Sequence, residues 1–134
     1  MDDIEYRTSP TVEPSDLTQL FARSWDGRKG DEDYAKVLER SLGYVCAYHD
    51  GRLVGFVNVA WDGGSHGFVL DTTVVPEMRR RGIGTELLRR AESIAREHGL
   101  EWLHVDFPPE LRSFYRGAGY RPTEAGLLKI VSNQ

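Results

Sequence analysis

Three consecutive arginines followed by two closely spaced glycines form the part of this chain best equipped for chemistry. The segment reads Val74-Val75-Pro76-Glu77-Met78-Arg79-Arg80-Arg81-Gly82-Ile83-Gly84-Thr85. It ends an apolar strand-like stretch and opens an amphipathic helical one. The first turn of a helix carries free N–H groups and the positive end of the helix dipole. Gly82 and Gly84 let an anion approach the backbone with no Cβ in the way. With Arg79, Arg80 and Arg81 alongside, the segment suits a compact polyanion such as a pyrophosphate. Taken singly, the glycines could be no more than a tight turn, and the arginines a solvated face. A P-loop is excluded because no Gly-Lys-Ser/Thr follows. A dinucleotide fingerprint is excluded because Leu87 stands where its third glycine belongs.

Other groups could move protons. His104 and Asp106 alternate on one face of a late strand, and Asp71 lies on the strand before the turn. Each could accept a proton. Each also has a structural reading, a hydrogen-bonded strand histidine or a carboxylate paired with arginine. Trp25, beside Asp26, falls between the first two helices, where it could meet a substrate or join the core. Cys46, the sole cysteine, sits in an alternating stretch and reads as a small core residue.

The elements that must position these groups follow from periodicity. Ile4 to Pro10 reads as an edge strand. Pro14 and Ser15 open a helix carrying Leu17, Leu20, Phe21 and Trp25, which Gly27 and Gly30 break. Asp31 is the expected N-cap of a second helix with Tyr34, Val37, Leu38 and Leu42 on one face. The period then falls to two. Strands are expected at Tyr44 to Tyr48, Leu53 to Trp61 and His66 to Val75, joined by Asp50-Gly51 and Asp62-Gly63-Gly64 turns. A long helix from Gly82 to His98 shows an apolar stripe of Leu87, Leu88, Ala91, Ile94 and Ala95, with Gly99 as its C-terminal cap. A strand from Trp102 to Phe107, a short helix from Glu110 to Ala118 and two last strands, around Tyr120 and at Leu127–Val131, complete the order β α α β β β α β α β β. A strand–helix–strand passage makes its two strands parallel. The fold class is α+β, or mixed α/β: one central, mostly antiparallel sheet with a parallel strand pair.

The chain has 134 residues, the size of one domain, so 1–134 is read as a single unit. Its formal charge is −4, from 17 Lys+Arg against 21 Asp+Glu. That balance argues against general nucleic-acid binding. No apolar run approaches the ~20 residues of a membrane span, and no signal peptide is evident, so a cytoplasmic location is expected. No intramolecular disulfide is possible, and no metal is called for.

Arg79-x-x-Gly82-x-Gly84 after a Val-x-Pro strand end resembles the acetyl-CoA signature of the GNAT superfamily of N-acetyltransferases. Phe114-Tyr115-Arg116-Gly117-Ala118-Gly119-Tyr120 resembles that family's last helix, and the element order agrees over roughly residues 17–130. The resemblance implies acetyl-CoA as acyl donor and direct attack by a primary amine within a ternary complex. It implies that the strand before the turn splays from the strand after the helix and that pantetheine lies in the gap. Thr72, Thr73 and Val74 would line the arm, with the Val74 N–H polarising the thioester carbonyl. Arg79, Arg80, Arg81, Gly82, Ile83, Gly84 and Thr85 would hold the pyrophosphate, mostly by backbone N–H. Tyr115 matches the tyrosine that protonates the departing thiolate; otherwise it is a packed aromatic, a role Phe114 already covers. Trp25, Asp71 and His104 are candidate acceptor-binding residues, and ordered water could replace any side-chain base. Pro108-Pro109-Glu110 stands where the family often has a CoA-contacting Asn, which puts that contact in doubt. A small-molecule or peptide amine is the implied acceptor, and a homodimer is compatible with the family. The competing expectation is a non-catalytic acyl-CoA-binding regulatory module, which would need the turn but not Tyr115.

Overall fold

Residues 3–25 and 33–131 are described by a computed structural model. Among them the order is β1 (Ile4–Thr8), α1 (Pro14–Ser24), α2 (Tyr34–Glu39), β2 (Gly43–His49), β3 (Arg52–Trp61), β4 (His66–Val74), α3 (Ile83–Glu97), β5 (Trp102–His104) and α4 (Arg112–Gly117). Short 3-10 turns at Pro76–Met78 and Pro109–Leu111 precede α3 and α4. The strands lie side by side in chain order. β1 to β4 are antiparallel, and β5 runs parallel to β4. Asp50 and Gly51 both take positive φ, +50° and +78°. Such a pair gives a turn whose twist matches the flanking strands, which is why β2 and β3 meet so tightly.

The helices cover both faces of the sheet, because neighbouring strand residues point opposite ways. Phe56 faces α1, where its ring lies 5.8 Å from that of Phe21, and Phe21 in turn sits 5.0 Å from Tyr34 of α2. The adjacent Gly55 faces α3. A Cβ there would stand 3.2 Å from Leu87 and 3.3 Å from Ile83, so the missing side chain sets how closely α3 approaches. α3 buries Ile83, Leu87, Leu88, Ala91, Ile94 and Ala95 against the sheet. Truncating a buried leucine such as Leu87 to alanine typically costs about 2–5 kcal/mol.

Three expectations need correction. α2 is capped by Asp33, whose side chain accepts from the Lys36 N–H, while Gly27, Gly30 and Asp31 lie outside the described residues. β5 ends at His104 rather than Phe107, because its partner β4 diverges there. No strand forms around Tyr120 or at Leu127–Val131. Apolar alternation gives a segment the capacity to pair, but a strand exists only where a neighbour accepts its backbone bonds. The described order is therefore β α α β β β α β α.

Candidate active site at the β4–β5 splay

β4 pairs with β5 only from His66↔Trp102 to Phe68↔His104, yet its pairing with β3 continues to Val74↔Gly55. Between residues 69 and 74 the β5-facing edge of β4 thus has no strand beside it. A bulge lies in this stretch. Phe56 pairs with Thr73 and Asn58 with Leu70, so Val57 stands opposite two residues, Asp71 and Thr72. Asp71 adopts φ +59° to accommodate the extra residue. Beyond the bulge, the Val75 N–H donates to the Val54 carbonyl at 2.9 Å. Backbone groups alternate along a strand, so Val74 directs its own N–H and C=O into the gap. Its carbonyl is taken by Arg79, whose Nε donates to it at 3.0 Å while Nη2 donates to the Ser24 carbonyl at 3.0 Å. The Arg79 side chain is therefore a clamp between the end of β4 and the end of α1, and what it offers an anion is its backbone. Trp25 follows Ser24 at that junction, with its ring 5.4 Å from Phe21 and half-buried.

The turn after β4 rises to α3 through two left-handed residues, Arg80 at φ +64° and Gly82 at φ +82°. The first helical bond runs from the Glu86 N–H to the Gly82 carbonyl at 3.0 Å. The N–H groups of Ile83, Gly84 and Thr85 have no acceptor within the helix. Arg80, Arg81, Gly82 and Thr85 are exposed around them. The nearby Glu86 carboxylate is engaged by Arg89 at 3.0 Å and Arg90 at 2.8 Å, further along α3. The two glycines differ in purpose. A Cβ on Gly82 would meet nothing, so its backbone conformation is what selects glycine. A Cβ on Gly84 would stand 3.1 Å from Phe114 Cζ, so here glycine admits the ring of α4 against the start of α3.

Tyr115 forms the far side of this region. Its ring stacks on Phe107 at 4.8 Å, and meets Phe114 at 4.9 Å and Tyr120 at 5.8 Å edge-on. The residue is 5% exposed. Burial pushes its phenol above the usual value of 10.0; the Thr72 hydroxyl partly offsets this, and the charge of Asp106 reinforces it. The approach of Thr72 stops short of a full hydrogen bond, because its Oγ1 is buried with no partner at bonding distance. At neutral pH Tyr115 is thus a protonated donor beside an unsatisfied hydroxyl. Thr73 is also buried, and its Oγ1 donates to the Asp71 carbonyl across the bulge at 2.9 Å.

The expected residues do not all converge. Thr72, Thr73, Val74 and Tyr115 come together at the splay, with Asp71 on its bulge and the turn from Arg79 to Thr85 beyond. His104 lies elsewhere. It contacts His66 at 2.7 Å and stacks on Phe68 at 4.8 Å. Phe68 is six residues before Val74, roughly 20 Å back along β4. Two features escape a reading of residue types. The Arg79 clamp depends on a carbonyl in α1, distant in sequence. Phe107 was readable only as a strand residue, and its stacking on Tyr115 appears only once β5 has diverged.

A family model described as the acetyltransferase (GNAT) family matches residues 14–120. The chain belongs to the GNAT acetyltransferase family. A GNAT-family protein from Streptococcus pneumoniae has the same fold, with a TM-score of 0.79 at 25% identity, covering 98% of this chain and 100% of that one. An aminoglycoside N-acetyltransferase solved in complex with CoA superposes with a TM-score of 0.77, covering 96% of this chain and 95% of its own. At 19% identity that likeness is one of fold. Among curated GNAT relatives, the mycothiol acetyltransferase of Nocardia farcinica is 37% identical over 65 residues, which is 48% of this chain and 22% of the relative. The chain spans between 22% and 50% of the length of the first curated relatives it matches.

Proposed function

We propose that this chain is an acetyl-CoA-dependent N-acetyltransferase acting on a primary amine. The observation that carries the reading is the splay, where β4 turns the Val74 N–H toward a gap bounded by the open start of α3 and by Tyr115. An amide-bearing arm lying along β4 would give those backbone groups a partner. The buried Thr72 hydroxyl, without a partner at bonding distance, fits the same arm. The N–H groups of Ile83, Gly84 and Thr85 suit a pyrophosphate, with Arg80 and Arg81 as flanking positive charge.

The reaction follows from these positions. An unprotonated amine attacks the thioester carbonyl, and negative charge gathers on its oxygen. The Val74 N–H donates to that oxygen. The C–N bond forms as the C–S bond breaks. The sulfur leaves as a thiolate and takes the phenolic proton of Tyr115, which is then restored from solvent. The proton released by the new amide nitrogen passes to water, or to Asp71 if the acceptor reaches the bulge. A small-molecule amine is the favoured acceptor, with a peptide amine as the second class. We assign the acceptor end of the gap to Trp25 and Asp71, and we retain His104 only for an acceptor long enough to extend along β4. We place the protein in the cytoplasm, consistent with a single buried cysteine and with no described helix long and apolar enough to cross a membrane.

Thermal unfolding with and without millimolar acetyl-CoA tests the donor site, since a ligand of the native state alone raises the melting temperature. Thiol release from acetyl-CoA with a panel of amines tests the transfer. A thermal shift with no thiol release from any amine would favour a binding module. No shift at all would overturn the assignment.

A further inference from the structure

Two links tie the last turn of α1 to the turn after β4. Arg23 of α1 donates to the Glu77 carboxylate at 2.6 Å. Arg79 reaches the other way, donating from Nη2 to the Ser24 carbonyl and from Nε to the Val74 carbonyl, both at 3.0 Å. The links differ in kind. Arg23 meets a carboxylate, whereas no carboxylate among the described residues pairs with Arg79. The Arg79 guanidinium therefore directs its positive charge at two backbone carbonyls.

Each of these carbonyls lacks a regular partner. Ser24 ends α1, where carbonyls have no helical donor and the negative end of the helix dipole lies. Val74 stands on the open edge of β4, beyond Phe68, the last residue that β5 meets. The N–H and C=O of one residue in an extended strand point to the same side, so the Val74 carbonyl opens into the same gap as the Val74 N–H. An uncapped carbonyl oxygen there would oppose negative charge gathering on a neighbouring oxygen. The Arg79 fork caps it and holds the end of α1 in the same step. A lysine ammonium, a compact point charge without that fork, is a poorer match for two carbonyls.

We infer that Arg79 is a positioning residue for acyl transfer: its side chain caps the Val74 carbonyl, so that the edge of β4 offers the Val74 N–H to the thioester oxygen without an opposing dipole. The inference rests on the acetyl-transfer reading. Acetyl-CoA labelled with carbon-13 at its thioester carbonyl tests it with no acceptor present. In wild type the infrared stretch of the bound carbonyl should fall below that of the free donor, because a hydrogen bond polarises it. Arg79→Met keeps a long stem without charge or donor and should lose most of that downshift. Its Kd for acetyl-CoA should change by less than about threefold in calorimetry, because backbone N–H groups hold the pyrophosphate. With an active amine its kcat should fall about tenfold, less than for loss of an oxyanion donor itself, at a nearly constant KM for acetyl-CoA. Arg79→Lys should recover part of both losses. Arg23→Gln breaks only the neighbouring ion pair and should match wild type in both. An Arg79→Met chain that binds acetyl-CoA with an undiminished downshift would overturn the inference. So would an equal loss in Arg23→Gln, which would trace the effect to the junction as a whole. If circular dichroism shows Arg79→Met unfolded, Arg79→Gln decides in its place, since it also removes the charge. A wild type that binds no acetyl-CoA would instead bring down the acetyl-transfer reading itself.

Discussion

Removing one oxygen from Tyr115 separates packing from catalysis. Tyr115→Phe keeps the ring among Phe107, Phe114 and Tyr120, so the aromatic contacts that bury it survive. An ordinary buried hydrogen bond is worth about 0.5–1.5 kcal/mol, but the Tyr115–Thr72 approach falls short of one. The expected change in stability is therefore under about 1 kcal/mol. Loss of a positioned acid is expected to lower kcat by ~10²-fold, or about 2.7 kcal/mol in the transition state. The contact forms mainly as the thiolate departs, so KM for acetyl-CoA should hardly move. Urea melts, acetyl-CoA thermal shifts and steady-state kinetics at saturating donor measure the three quantities on one preparation. A folded variant with the kcat of wild type would refute the acid role. A loss of several kcal/mol in stability would refute the packing argument, because it would mean the hydroxyl is bonded after all.

Thr72→Val removes a buried hydroxyl that has no bonding partner, so stability should hold or rise by up to about 1 kcal/mol while acetyl-CoA binds more weakly; unchanged binding by calorimetry would remove Thr72 from the donor site. Gly82→Ala should destabilise by about 1 kcal/mol through its left-handed backbone alone, whereas Gly84→Leu should lose more by displacing Phe114; equal losses in denaturant melts would contradict the distinction. Burial raises the Cys46 thiol from 9.0 to about 11 and Tyr48 to about 12, and also raises Tyr6, Tyr44, Tyr115 and Tyr120. The folded state holds these protons more tightly than the unfolded chain, so their contribution is complete below pH 9 and is lost as pH climbs to about 12. Melts at a series of pH values should show that decline beginning above pH 9, and a flat profile to pH 11 would contradict it.

The framework of this fold is local, and local features were readable. Asp50-Gly51 specifies its turn by itself, and the stripe from Leu87 to Ala95 specifies α3 by itself. The turn into α3 was readable for the same reason, since Gly82 and the free N–H groups of a helix start lie within a few residues. What escaped depends on partners far along the chain. The bulge at Asp71 is a question of register against β3, and although aspartate tolerates positive φ better than most residues, nothing beside it in sequence marks a turn. Arg79 looked like a ligand for an anion until its guanidinium was seen between two carbonyls. Leu127–Val131 has the pattern of a strand, but no strand of the described sheet accepts its backbone bonds. His104 and Asp106 share a face, as the alternation required. What alternation could not convey is that β4 and β5 separate between them.

The bulge in β4 acts as a parity switch. Every residue from Thr73 onward owes its orientation to the one extra residue near Asp71. A regular strand with the same number of residues and no bulge would turn the Val74 N–H toward β3 and bring the fully buried Val75 to the open edge. The direction of the Val74 N–H therefore rests on the backbone irregularity at Asp71 and not on the side chains of Thr73 and Val74.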